Sequence, residues 1–147
     1  MNSRRFSVLI LSAVLTFALG GAAGAATSEL KGQAILDHAC GKVAVKHMGL
    51  IHAGKIDDAS LLSTQEMQDT WKKMPAEDRT MMSGMMKEMS KTAAQYAIDI
   101  KANGLLLVDG QAATLTVKET TKDANGSGTS TLTQHFKLDG AQCLISR

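Results

Sequence analysis

The sequence predicts an α+β domain in which a run of helices packs on one face of an antiparallel meander. Three observations carry this. Apolar residues recur at three- and four-residue steps as far as about residue 91. From Thr92 onward they recur at every second residue. The pairs Asp109-Gly110 and Asp139-Gly140 stand between runs of the second kind, where two-residue hairpin turns belong.

The chain of 147 residues opens on a segment of a different kind. Arg4 and Arg5 form a basic start, Phe6 to Leu19 is an apolar run, and the small residues from Gly20 to Ala26 offer A-x-A-like cleavage after Ala25 or Ala26. Residues 1–26 therefore read as a secretory signal peptide, and residues 27–147 as one domain with a single core. The apolar run is short for a transmembrane span, and no cysteine near the cleavage region offers a lipid anchor. The expected location is outside the cytoplasm, periplasmic or secreted, with no stable membrane anchor after cleavage.

Cleavage also changes the charge. The 16 Lys and Arg lose Arg4 and Arg5, which leaves them equal in number to the 14 Asp and Glu. A neutral domain with no basic cluster lacks the electrostatic footprint of a nucleic-acid binder. Trp71, Tyr96 and Phe136 are too few for a base-stacking strip. Both cysteines, Cys40 and Cys143, survive cleavage into an oxidising compartment, and a disulfide tying the first helix to the last strand is expected. No C-x-x-C spacing favours a redox or metal pair instead.

Within the domain, Ser28 caps a helix expected from Glu29 to about Ala53, with Leu30, Ala34, Cys40, Val43, Ala44, Met48 and Ile51 near one face and Gly54 as its end. Asp57 opens a second helix, from Asp58 to about Lys73, that turns Leu61, Leu62, Met67 and Trp71 inward. Pro75 starts a third, to about Lys91, with Glu77 and Asp78 in its first turn, where the helix dipole favours acidic side chains. Tyr96, Ile98 and Ile100 then alternate with Ala97, Asp99 and Lys101, as Ala113, Leu115 and Val117 alternate with Thr114, Thr116 and Lys118; both runs read as half-buried strands. Asp123 to Gly128 is a longer turn, Ser130 to Leu138 a third strand with Leu132, Phe136 and Leu138 on one face, and Ala141 to Ser146 the fourth.

The helix junction Gly54-Lys55-Ile56-Asp57-Asp58-Ala59, the strand Val108-Asp109-Gly110-Gln111-Ala112-Ala113-Thr114-Leu115-Thr116-Val117 and the ending Phe136-Lys137-Leu138-Asp139-Gly140-Ala141-Gln142-Cys143-Leu144-Ile145 resemble exported bacterial NTF2-like (cystatin-like, SnoaL-type) domains. Cys143 stands where a Trp commonly follows the Asp-Gly turn. The resemblance implies helices leaning across a curved sheet to form a cone. The concave face of that cone holds a ligand, a protein partner or core side chains, and such domains often form homodimers through the sheet. These motifs specify a fold rather than an activity.

The sharpest chemical feature is the methionine helix. Met81, Met85 and Met89 stack at four-residue steps, and Met82, Met86 and Met89 form an adjoining row, with Met74 just before. The expectation is a flexible apolar stripe packed against the sheet. The alternative is a Cu(I) site built from Met81, Met82, Met85, Met86 and Met89, because thioethers are soft donors. A promiscuous apolar groove is a third reading. The histidines add little alone: His38 and His52 share one side of the first helix, His47 lies opposite His38, and none forms an H-x3-H pair. They are expected at the surface, although His47 or His52 could join a methionine cluster across helices.

Catalysis of the SnoaL type would need an acid or base projecting into the cone. Asp99 and His135 are the strand-borne candidates, and their alternation with apolar neighbours turns both outward. No catalytic residue is assigned. The expected function is non-catalytic binding of a small apolar ligand or a protein partner, with no nucleic acid and no cofactor. Cu(I) and a SnoaL-like enzyme are the alternatives.

Overall fold

The computed structural model describes residues 26–123 and 126–147. Residues 1–25 of the expected signal peptide and residues 124–125 of the expected turn lie outside them. Strand β1 (Ser28–Lys31) leads through Gly32 into α1 (Gln33–Asp37), followed by α2 (Ala39–His52), α3 (Ile56–Ser60), α4 (Gln65–Lys73), α5 (Ala76–Met89) and α6 (Ala93–Asn103). Strands β2 (Gly104–Asp109), β3 (Ala112–Asp123), β4 (Gly126–Asp139) and β5 (Gln142–Ser146) complete the chain. The sheet has five strands in sequence order, every neighbouring pair antiparallel. The α+β class holds, with three of the four expected strands present and β1 and β2 beside them. No helix among the described residues is long and apolar enough to cross a membrane.

Alternation fixes which face of the sheet is covered. Leu106 on β2, Ala113, Leu115 and Val117 on β3, Phe136 on β4 and Cys143 and Ile145 on β5 are buried against Ile35, Cys40, Ala44, Tyr96 and Ile100 of the helices. The disulfide between Cys40 and Cys143 crosses this core, joining α2 to β5 as expected. Gly110 and Gly140 take positive φ at the two Asp-Gly turns, a region that side chains with a Cβ avoid. Leu132 shares the inward face with Phe136 yet remains 37% exposed.

Three element assignments change. Residues 28–31 do not begin a helix: they pair with β2, Leu30 opposite Leu106, which satisfies an edge that β2 would otherwise present to solvent. The helix then breaks at His38, whose extended backbone caps α2 while its Nδ1 accepts from Cys40 N at 3.2 Å. That break lets the chain fold back so closely that Gly41 lies against the Ile35 carbonyl, where any Cβ would overlap.

The second expected helix is likewise two. Between α3 and α4 the chain lies along the sheet edge, with Thr64 N donating to Ile145 O at 2.8 Å and Ile145 N donating to Leu62 O at 2.9 Å. Strand pairing therefore interrupts the helical pattern at Ser63 and Thr64.

Tyr96 to Ile100 is helix α6, not a strand. Tyr96 and Ile100, four residues apart, are buried, whereas Ile98 is 60% exposed. A short alternating run contains the i, i+4 pair of a helix, so the period alone did not separate the two. The local signal was Thr92-Ala93-Ala94-Gln95, a capping sequence in which Thr92 Oγ1 accepts from Gln95 N at 3.2 Å.

Candidate functional site

Helix α5 overturns the expectation of a packed stripe. It buries no residue fully. Met81, Met85 and Met89 are 62%, 56% and 81% exposed, and Met82 is 38% exposed. Met86 is the half-buried exception, resting with Trp71 and Leu50 on the small cluster of Ile51, Ile56 and Ala59. The sheet is already covered by α1, α2 and α6. Met82 and Met86, one turn apart, instead face the other helices.

There they meet a second row. Met67, Trp71 and Met74 follow one another at four- and three-residue steps along α4 and its end, so they share a face. These two methionine rows, together with His47 of α2, Ile56, Ala59 and Ser60 of α3 and the terminal Arg147, line an apolar cavity of about 210 Å³. The indole of Trp71 is held by donation from Nε1 to Asp57 Oδ1 at 2.8 Å. The start of α4 is anchored by Gln68 Nε2, which donates to Ser63 O at 2.9 Å.

His47 is the cavity's principal polar group. Its Nδ1 lies 3.5 Å from the side-chain amide nitrogen of Gln134, an inward-facing residue of β4. Burial pushes its pKa down to about 4, because the charged ring has lost water without gaining an anion. The imidazole is thus neutral near pH 7. The expectation of a surface histidine fails here through tertiary packing alone.

The other histidines stay peripheral: His38 caps α2, His52 Nδ1 lies 3.3 Å from Ser90 Oγ and His135 Nδ1 lies 3.2 Å from Thr114 Oγ1. His135 is exposed on the uncovered sheet face. Asp99 belongs to α6 rather than to a strand, and its Oδ2 accepts from Lys91 Nζ at 2.7 Å. Lys91 also reaches Glu119 of β3 at 2.9 Å, so a structural ion network ties α6 to the sheet. Tyr96, beside this network, has its phenol pKa raised, first by burial and then by the charges of Glu119 and Asp99.

The methionines proposed as a metal set are divided by the helix. Met82 and Met86 line the cavity, while Met81, Met85 and Met89 do not. Sequence reasoning missed Met67 and Met74 as partners of that set. Their i, i+7 spacing marks one face of a helix, but nothing local says that a second methionine row will lie opposite. Among the described residues no group of three His, Cys, Asp or Glu is placed to hold a metal. No protein-family model, curated protein or solved structure matches the chain.

Proposed function

We propose that the protein is an exported, non-catalytic binding domain of the NTF2-like type, and that its ligand site is the methionine-lined cavity between α2, α3, α4 and α5. The observation that carries this reading is the cavity itself. It is an apolar hollow of about 210 Å³ with His47 and the terminal Arg147 as its ionisable groups. A dry cavity of roughly 150 Å³ is already large enough to take benzene. The ligand is accordingly small, and the wall that meets it is apolar and rich in thioethers.

The disulfide supports an oxidising compartment. Helices layered on one face of an antiparallel meander support the family resemblance. A homodimer of the kind the resemblance implies would use the opposite face, which carries Leu107, Thr114, Thr116, Thr133 and His135.

Trp71, the single tryptophan of the chain, reports on the cavity wall. Titration with iodobenzene, a heavy-atom quencher of benzene size, is expected to quench its fluorescence along a saturable curve. Ala59→Phe, checked for folding by circular dichroism, fills the cavity and should abolish the saturable phase. Non-saturable quenching, or equal quenching in Ala59→Phe, would refute the reading.

A further inference from the structure

On the reading that this cavity is the ligand site, we propose that its ligand is a cuprous ion held by the thioethers of Met67, Met74, Met82 and Met86. Met67 and Met74, of α4 and its C-cap, and Met82 and Met86, of α5, line one hollow. This donor set differs from a row along α5 alone, since it combines Met82 and Met86 with two residues contributed by α4.

The chemistry of the lining selects the ion. No Asp, Glu or Cys side chain borders the cavity. A hard or divalent cation would enter without the anionic oxygen or sulfur donors that its charge and coordination require. Cu(I) is monovalent and soft, and thioether and imidazole donors suit it without compensating charge. An apolar surround, costly for a divalent ion, costs least for this one.

Two neighbours complete the site. His47 of α2 borders the same hollow and brings an imidazole to the thioethers, its Nδ1 lying 3.5 Å from the side-chain amide nitrogen of Gln134. Trp71 adds an aromatic ring to the same wall, and such rings attract cations. Arg147 borders the cavity as a cation, but it is exposed and its charge is screened by solvent.

The test is a titration of the disulfide-intact protein with Cu(I), kept reduced by ascorbate, against the chromogenic chelator bicinchoninate. Ascorbate leaves the disulfide in place. The expected result is withdrawal of one equivalent of Cu(I) from the chelator. Met67→Leu combined with Met86→Leu conserves apolar volume and should weaken this binding by roughly tenfold or more, because two donor atoms are gone. The folding of this double variant is checked by its circular dichroism spectrum, and iodobenzene is titrated in parallel into the wild-type protein. Replacement of Met81, Met85 and Met89 by Leu should leave Cu(I) binding unchanged.

Failure to withdraw Cu(I) while iodobenzene still saturates would overturn the copper proposal and leave the cavity as an apolar site. Failure of both would overturn the two readings together. Loss of Cu(I) binding in the Met81, Met85 and Met89 variant, with the double variant unaffected, would move the site to the open face of α5 and also refute the proposal.

Discussion

The two ends of the helical layer solve different problems with similar residues. Around Cys40 and Cys143, helices α1, α2 and α6 bury Ile35, Ala44, Tyr96 and Ile100 completely against the sheet. Around Met86, helices α4 and α5 bury nothing completely and surround a hollow. Apolar content does not separate the regions; shape does. β-branched and aromatic side chains with few rotamers fill the first, whereas unbranched thioethers with many rotamers line the second. A region that leaves its apolar side chains unpacked contributes little to stability and remains free to receive something.

The sharpest way to break this contrast is to make the same substitution in both regions. A Cβ at Gly41 would overlap the Ile35 carbonyl, so Gly41→Ala should prevent the close return of α2 onto α1 and cost the protein its cooperative unfolding transition in urea. Its counterpart, Gly84 of α5, meets nothing within 4 Å. Gly84→Ala carries the smallest effect expected and the opposite sign.

Removing the staple comes next. The disulfide closes a sequence separation of 103 residues, for which the chain-entropy estimate is a stabilisation of up to ~4.7 kcal/mol. Cys40→Ala combined with Cys143→Ala should lower the urea midpoint in oxidising buffer and change little relative to wild type under reductant. An unchanged midpoint in oxidising buffer would mean that the core holds without the bridge.

Acid should act on the cavity region through His47. Its folded pKa is about 4 against an ordinary 6.5. Between those values the unfolded chain binds a proton that the folded chain refuses. Stability from this group is therefore complete above about pH 6.5 and is lost as the pH falls toward 4, by roughly 2–3 kcal/mol. His47→Leu should flatten that part of the stability curve. A wild-type curve already flat from pH 7 to 4 would place the ring in water.

Last and smallest, Gly84→Ala should stabilise the protein by roughly 0.5–1 kcal/mol, since it removes a glycine from the exposed interior of a helix without a clash. A destabilisation would mean that α5 meets a neighbour along that face.

These contrasts also explain what could be read from the chain. Ala113, Leu115 and Val117, the Asp-Gly turns, the start of α5 after Pro75 and the cysteine pair are governed by local periodicity, local turn chemistry or a count of two, and each was legible. Leu30 in β1 and the break at Ser63 and Thr64 depend on partners far along the chain, Leu106 and Ile145, whereas the helical state of Tyr96 had a local mark in the Thr92 cap that the alternating run obscured. The cavity was the least legible feature. Each methionine row is visible as a helical face, but their meeting across His47 and Trp71 is a product of packing.

The most direct measurement of the central claim is a spectrum of the protein labelled with 13C at its methionine methyl groups, recorded as iodobenzene is added. If the cavity is the binding site, the methyl signals of Met67, Met74, Met82 and Met86 shift together along one saturable curve, while those of Met81, Met85 and Met89 hold still. Shifts led by Met81, Met85 and Met89, or a uniform drift of every methionine signal, Met48 included, without saturation, would contradict it.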